Sequence, residues 1–224
     1  MTSKEINSDI EDIEDVFKKI EKSYNIVFLP NELRNLKTFG EISNLIISKI
    51  NLEEENDCSS QQAFYKLKKA INKVTNNLET EISPNTTLEK LFPRNRRNKI
   101  LLIEKDLNLD LKAFSISKVI VFTLLILLII SIAMIFINLK YSLYGILFTI
   151  ILMKISDKTS TKFSVTTVGE LSTKMMLENY IETRRNSKSF NKNEIKKNLE
   201  MLFIKDLGLT NEFSELTDES IINY

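Results

Sequence analysis

A long apolar block near the middle of the chain, residues 119–153, constrains the fold more than any other feature. Its first part, residues 119–137, carries no charged side chain. At about 1.5 Å per helical residue, this part is long enough to cross the roughly 30 Å hydrocarbon layer of a bilayer. A polar break at residues 138–140 separates it from a second apolar run, residues 141–153. The block predicts a membrane protein with polar segments before and after it.

Two membrane topologies are compatible with this block. In a hairpin, residues 119–137 cross the bilayer, residues 138–140 turn, and a second helix over about residues 139–155 returns. In the alternative, only the first segment crosses and residues 141–153 lie in the interface, because that run is short for a span. Positive charge favours the hairpin, since the turn has only Lys140 and basic residues concentrate in cytoplasmic segments. The flanks carry Arg94, Arg96, Arg97, Lys99, Lys105, Lys112 and Lys118 before the block, and Lys154, Lys158, Lys162 and Lys174 after it.

The composition argues against several kinds of site. Histidine is absent and Cys58 is the only cysteine, so we expect no histidine-based triad, no intramolecular disulfide and no metal site. Basic and acidic residues balance, at 31 and 30, so we expect no nucleic-acid partner. The polar side chains Thr123, Ser131, Asn138 and Thr149 of the block are uncharged, whereas a transport path normally needs intramembrane charge. The block therefore predicts an anchor and not a pore.

Apolar spacing predicts helices on both sides of the block. The scarcity of glycine and proline, 4 and 3 residues, disfavours a turn-rich β fold. Residues 211–224 are predicted to be a loop with one final turn at most. The predicted helices are an apolar stripe from Ile10 to Tyr24, a helix capped by Thr38, a helix capped by Ser59, a helix over residues 96–107, and an amphipathic helix over residues 193–206 with Gly208 as its C-cap.

A six-residue pattern occurs twice in the chain. Residues 38–43, Thr-Phe-Gly-Glu-Ile-Ser, match residues 167–172, Thr-Val-Gly-Glu-Leu-Ser. In each copy the threonine is placed to cap a helix, and the glutamate three residues later can reach back to the threonine amide, which is a capping box. The pattern suggests an internal repeat, although shared capping chemistry alone would also produce it.

The densest basic run, residues 94–99, is the candidate site for anionic lipid. A cation near an anionic membrane surface gains about 1 kcal/mol; the alternative is a solvated helix start. The acidic residues 53–57 lack the spacing of a calcium loop and are interpreted as a solvated linker. The candidate lipid contacts are Arg94, Arg96, Arg97 and Lys99.

Two stretches resemble pieces of acyl carrier proteins. Residues 16–50 (VFKKIEKSYNIVFLPNELRNLKTFGEISNLIISKI) resemble the second half of that family, with a long helix, a loop and a capped last helix. Residues 193–219 (NEIKKNLEMLFIKDLGLTNEFSELTDE) resemble its first helix and the next loop, so the pieces occur in swapped order. The family carries phosphopantetheine on the serine of Asp-Ser-Leu, whereas the aligned residue here is Ile10. The nearest candidates are Ser8 and Ser220, and the resemblance implies a helical fold element without the carrier chemistry.

These features together predict an all-α protein in which small cytoplasmic helical bundle regions flank a two-helix transmembrane hairpin. Residues 1–15 lack the basic and apolar parts of a secretory signal. We expect an integral protein of the bacterial inner membrane with both termini in the cytoplasm, so that the C-terminal helix can pack on the N-terminal helices. The predicted segments are 1–57, resembling the last carrier helices; 58–115, a second helical region; 116–156, the hairpin; and 157–224, a C-terminal helical region.

The expected function is a non-catalytic binding or scaffold role at the membrane. Membrane lipid and a protein partner are the expected contacts, and no cofactor is expected. The alternative is a membrane-tethered acyl-carrier-like accessory in lipid or polyketide assembly, which would require a serine that bears phosphopantetheine.

Overall fold

The protein is mostly helical, with few short strands, and 63% of it is helix. A computed structural model describes residues 5–29, 31–34, 36–75, 81–209 and 216–223. The helices are α1 Ile10–Tyr24, α2 Phe39–Lys49, α3 Ser59–Thr75, α4 Leu88–Leu91, α5 Arg96–Leu107, α6 Lys118–Ala133, α7 Leu139–Thr159, α8 Val168–Glu178, α9 Tyr180–Thr183 and α10 Lys192–Asp206, with a 3-10 turn at Met134–Phe136. The strands are β1 Glu5–Asn7, β2 Glu53–Glu54, β3 Ser189–Phe190 and β4 Ile221–Asn223.

The chain divides into two compact units, and each is built from its own contacts. The first unit comprises residues 1–69 and 172–224, and the second comprises residues 70–171. The first unit therefore joins the two ends of the chain, whereas the segments predicted from the sequence follow chain order. The apolar hairpin of α6 and α7 belongs to the second unit.

The core of the first unit forms where helices from both chain ends pack together. The α1 stripe is buried at Ile13, Phe17, Ile20 and Tyr24, while Ile10 at its start is exposed. The Phe17 ring meets the Phe203 ring of α10 edge-on, with centroids 6.1 Å apart. The hypothesis that the C-terminal helix packs on the N-terminal helices is confirmed.

Two pairs of short parallel strands add to the first unit. Strand β1 pairs with β4, with Ile6 opposite Ile222, and β2 pairs with β3. The prediction of a loop for residues 211–224 is wrong at residues 221–223, which form β4. The ladder also includes Thr38, whose antiparallel bridge to Ile221 ties β4 to the start of α2. Residues 210–215 and 224 lie outside the described residues.

The repeated six-residue pattern starts a helix in both units, and it docks in the same way. Glu41 accepts the Thr38 amide at 3.0 Å, and Glu170 accepts the Thr167 amide at 3.3 Å. Each threonine hydroxyl accepts the glutamate amide at 3.2 Å. The next two amides bind a neighbouring loop in both units: those of Phe39 and Gly40 bind the Ser220 and Asp218 carbonyls, and those of Val168 and Gly169 bind the Thr86 and Pro84 carbonyls.

A second matching device ends a helix in each unit. Helix α1 stops at Asn25 and α5 stops at Asn108, both in the left-handed region with φ of 50° and 55°. Glu21 in the last turn of α1 accepts the Phe28 amide at 2.7 Å, and Glu104 of α5 accepts the Leu111 amide at 3.0 Å. The similarity between the two units therefore extends well beyond the six matching residues. In the second unit, the apolar hairpin lies between the end of α5 at Asn108 and the capping box at Thr167 that starts α8.

The start of α3 corrects the sequence interpretation of Ser59 as a cap. Ser59 is the first helical residue, and the Glu194 carboxylate accepts its amide at 3.1 and 3.0 Å. The Ser59 hydroxyl instead accepts from Arg184 at 2.6 Å. The cap thus comes from α10, far away in the sequence. The C-cap of α10 is Leu207 and not Gly208 as predicted; Gly208 follows the cap with φ of 68°, the left-handed position that glycine favours after a helix.

Candidate functional site at the foot of the apolar hairpin

Helices α6 and α7 expose their apolar side chains instead of burying them. The segments Lys118–Phe136 and Leu139–Thr159 are long and apolar enough to cross a membrane. A core helix of a soluble protein would be mostly buried, whereas only 6% and 11% of these two segments are buried. An uncovered apolar surface of this size marks contact with a partner or a membrane.

The second helix of the hairpin is longer than its apolar run suggests. Helix α7 includes Tyr141 and Lys154 and spans 21 residues, about 31 Å at 1.5 Å per residue. Asn138 starts α7 by accepting the Lys140 amide at 3.0 Å. With the 3-10 turn included, the first apolar segment has 19 residues and the second has 21, and both are long and apolar enough to cross a membrane.

The facing sides of α6 and α7 carry small residues. Ser131 of α6 is buried, as are Ser142 and Thr149 of α7, and Gly145 lies on the same α7 seam. The Ser131 and Thr149 hydroxyls donate to backbone carbonyls of their own helices at 2.8 and 2.9 Å. Small residues let helix backbones approach closely in lipid, where apolar burial gives no driving force between helices.

A short antiparallel ladder clamps the two ends of the hairpin together. Phe114 bridges Phe163, and their rings stack with centroids 5.2 Å apart. The Ser115 amide donates to the Lys162 carbonyl at 2.9 Å, and the Ser160 hydroxyl donates to the Ser115 carbonyl at 2.5 Å. The chain therefore leaves the hairpin beside the point where it entered. We call this ladder, residues 113–115 and 162–164, the foot.

The sequence interpretation missed the foot, although a signal was present. Phe114-Ser115-Ile116 precedes the apolar block and Phe163-Ser164-Val165 follows it. Each is a short alternation of apolar and polar residues, which is the pattern of a β ladder. The two tripeptides lie at nearly equal distances along the sequence from the polar break at residues 138–140, so a hairpin that turns at this break would bring them together.

Two of the four predicted lipid contacts, Arg96 and Arg97, also hold the foot. Arg96 donates to the Phe92 carbonyl at 3.0 Å and lies over the Phe163 ring, 5.4 Å from its centroid. Arg97 lies over the Phe114 ring at 5.5 Å and donates to the Ser160 carbonyl at 2.7 Å. The position of Arg97 suits a cation because the end of α7 carries partial negative charge.

The other two predicted contacts remain available. Arg94 and Lys99 form no ion pair or side-chain hydrogen bond with the part of the chain that the structure describes. Arg94 is exposed, and with Arg96 and Arg97 it lines a depression of about 400 Å³ beside the foot. The other lining residues are Pro93, Asn95, Asn98 and Thr161.

One carboxyl near the foot is electrostatically unusual. Partial burial raises the pKa of Glu104 above its ordinary value, against the opposing effect of the Leu111 amide that donates to it. The charged form of Glu104 is thus disfavoured where α5 ends, whereas the exposed Glu41 has its pKa lowered by the Lys37 and Thr38 amides.

The first unit contains a buried polar cluster around Arg184. Its guanidinium pairs with Asp57 and donates to the Ser189 hydroxyl at 3.0 Å and to the Tyr180 hydroxyl at 3.1 Å. The Arg184 side chain is 0% exposed. Asp57 was expected to lie in a solvated linker, but it is drawn into this cluster. The cluster holds the loop before α3 in place, and Arg184 also lines a depression of about 460 Å³ together with Gln62 and Arg185.

The two serines considered for phosphopantetheine lie in different settings. Ser220 is fully buried, and its hydroxyl accepts the Thr217 amide at 2.9 Å. Ser8 is half-buried just before α1. The exposed thiol of Cys58 lies 3.3 Å from the Ser60 hydroxyl. Among the described residues, no group of three or more Cys, Asp or Glu side chains is placed to hold a metal ion.

Comparison with known proteins adds no relative. No protein-family model matches the chain, and no curated protein or solved structure matches it either.

Proposed function

We propose that the protein is a membrane-anchored, non-catalytic scaffold whose apolar hairpin holds helical units at a bilayer surface. The uncovered apolar faces of α6 and α7 carry the proposal, because water would not stabilise that surface. The foot supports it further, since Phe114 and Phe163 bring the two ends of the hairpin to one side. The basic residues beside the foot favour the cytoplasmic face for both flanks.

A deletion guided by the foot tests the anchor. Residues 113–115 and 162–164 already pair as an antiparallel ladder, so a short Gly-Ser turn can replace residues 118–159. The full chain should stay with membranes after an alkaline wash and ultracentrifugation, whereas the shortened chain should be folded and remain in the supernatant. A full chain that is found in the supernatant without detergent would reject the anchor.

The sidedness of the hairpin needs its own measurement. A reporter tag at each terminus should be protected from protease that is added to intact cells. Both tags should become cleavable after the cells are permeabilised. Cleavage of only one tag in intact cells would mean that α7 does not return across the bilayer.

The scaffold role calls for a protein contact outside the hairpin. Val27 and Leu29 follow α1 and are 73% and 62% exposed, which suits an apolar contact. A photo-crosslinking residue at position 27 should capture a protein neighbour in cells, whereas the same residue at the exposed Lys22 should not. Equal crosslinking at both positions, or none at either, would count against this contact.

The buried state of Arg184 supports a role without catalysis. Its partners Ser59 and Tyr180 are fully buried, and its guanidinium donors are directed to side chains of the protein itself. The carrier alternative is less well supported, because the Ser220 hydroxyl is enclosed and already accepts a hydrogen bond.

A further inference from the structure

We propose that the depression beside the foot binds the phosphate of an anionic phospholipid headgroup. This proposal rests on the membrane anchoring proposed above, and it names the class of ligand that the depression binds. The depression has a volume of about 400 Å³, and Arg94, Arg96 and Arg97 all line it. A phosphate group carries negative charge and several acceptor oxygens, which arginine matches with paired N–H donors.

Free N–H donors remain on these arginines. Arg96 uses its Nε and one Nη for the Phe92 carbonyl and Glu89, and Arg97 uses one Nη for two carbonyls. Arg94 makes no side-chain hydrogen bond to any described residue. The foot contacts therefore orient Arg96 and Arg97 without using all their donors. Such a site is already organised before its ligand arrives.

The charge around the depression suits an anion. Two carboxyl groups interact with its lining: Glu89, which is largely exposed and pairs with Arg96 at 3.3 Å, and Glu104, which interacts electrostatically with Arg97 and whose charged form is disfavoured by burial. Asp157 contributes its carbonyl, not its carboxylate, to Arg97. Asn98 and Thr161 supply further neutral hydrogen-bonding groups.

Two exposed leucines point to a lipid in preference to free phosphate. Leu101 and Leu102 of α5 are 52% and 54% exposed. They lie one helical turn after Arg97 and Asn98, and therefore on the same faces of α5 as these two lining residues. A cationic site with adjoining exposed apolar side chains is the arrangement of a helix at a membrane surface. The depression also adjoins the end of α7, where a headgroup would lie.

Lipid competition gives the direct test. The full chain in neutral detergent is offered equal amounts of phosphatidylglycerol and phosphatidylcholine with the same acyl chains, and native mass spectrometry counts each bound lipid. We expect a preference for phosphatidylglycerol. Arg94→Gln should reduce this preference about fivefold, the effect of one cation near an anionic surface. Lys22→Gln removes the same charge from the exposed face of α1 and should leave the preference unchanged.

The other outcomes overturn the proposal. Equal losses in Arg94→Gln and Lys22→Gln would mean a general effect of net charge. Displacement of phosphatidylglycerol by millimolar inorganic phosphate would mean a free-anion site. Equal binding of the two lipids by the unsubstituted chain would mean that no headgroup site exists.

A tryptophan reporter separates failure of this site from failure of the anchor. The chain contains no tryptophan, so one introduced residue reports alone. In bilayers with brominated acyl chains, Ile126→Trp in α6 should be quenched if the hairpin is inserted, and Leu102→Trp should be quenched if α5 lies at the surface. Quenching at 126 without quenching at 102 rejects the lipid-facing position of α5 and leaves the anchor in place. Absence of quenching at 126 rejects the anchor itself.

Discussion

Gly145 of α7 lies directly against Ser131 of α6, because a Cβ atom built on Gly145 would stand 2.6 Å from the Ser131 Oγ and 2.9 Å from its Cβ. Both atoms belong to the short Ser131 side chain, whose Cβ is attached directly to the α6 backbone. The close approach of the backbones therefore depends on the absence of a side chain at 145, and it fixes how the two halves of the hairpin cross.

Gly145→Ala should separate the two helices and destabilise the hairpin by about 1–3 kcal/mol, the usual cost of overpacking a tight contact. Denaturant unfolding of the full chain in detergent measures the change. Ser142→Ala is the control on the same seam, because it removes a buried hydroxyl that has no hydrogen-bond partner among the described residues. It should change stability by less than about 0.5 kcal/mol. Equal effects of the two variants would show that the crossing at Gly145 is not the tight point.

Gly40→Ala and Gly169→Ala should each destabilise the protein by about 1–3 kcal/mol. A Cβ at either position would lie 2.9 Å from a backbone oxygen, that of Asp218 or Pro84, which has little room to shift. Gly208→Asn is the control, since no atom of the described residues lies within 4 Å of a Cβ there and asparagine tolerates its left-handed backbone. Thermal unfolding in the same detergent compares them. A normal melting temperature for either alanine variant would contradict the docking described for that unit.

Local signals predicted the helices well, because their causes lie close together in the sequence. The spacing of Ile13, Phe17, Ile20 and Tyr24 predicted α1, and the helix predicted over residues 96–107 is α5. The capping box at Thr38 was predicted correctly because threonine and glutamate lie three residues apart. The hairpin follows from composition alone, and two helices of suitable length are present.

Features that depend on distant pairing were missed. The cap of α3 comes from Glu194, and no local pattern around Ser59 reveals it. Strand β4 forms because Ile222 pairs with Ile6 at the opposite end of the chain. At the candidate site, the basic residues were recognised, but charge alone could not tell Arg97, which holds the end of α7, from Arg94, which is free of such contacts among the described residues.

Two glutamates should give opposite changes in stability with pH. The folded pKa of Glu41 is lowered, so its stabilising effect is full above the ordinary value of 4.5 and is lost as pH falls through the folded pKa. The folded pKa of Glu104 is raised, so its ionisation on raising the pH above 4.5 opposes folding until the folded pKa is passed. Glu41→Gln should therefore destabilise the protein at pH 7, and Glu104→Gln should stabilise it, since glutamine keeps an acceptor for Leu111.

Unfolding of the two variants and the unsubstituted chain from pH 7 down to pH 3 measures this contrast. The gain from Glu104→Gln should disappear below about pH 4.5, where the unsubstituted glutamate is protonated in both states. The loss from Glu41→Gln should persist to a lower pH. A gain from Glu104→Gln that stayed constant over the whole range would show that burial of charge is not its cause.

The protein should not be loaded by a phosphopantetheinyl transferase. The Ser220 hydroxyl is buried and accepts the Thr217 amide, while its carbonyl accepts the Phe39 amide that starts α2. Modification would have to break both this turn and the helix start. Intact-mass measurement after incubation with the transferase and coenzyme A should show an unchanged mass, with a genuine carrier protein as the positive control. A mass gain that Ser220→Ala or Ser8→Ala abolishes would restore the carrier alternative.

Arg184→Ala should be the most destabilising single change in the first unit, by about 3–5 kcal/mol. It removes the partner of Asp57 and leaves the Ser59 and Ser189 hydroxyls without the donor that they now share. Arg185→Ala is the matched control, because the neighbouring arginine is exposed and should cost less than about 0.5 kcal/mol. Urea unfolding of both variants compares them. Of these two arginines, Arg184 is the one whose side chain joins the start of α3 to α9, through Ser59 and Tyr180. If the Arg185 variant lost as much stability as the Arg184 variant, the destabilisation would therefore come from lost net charge and not from the broken network.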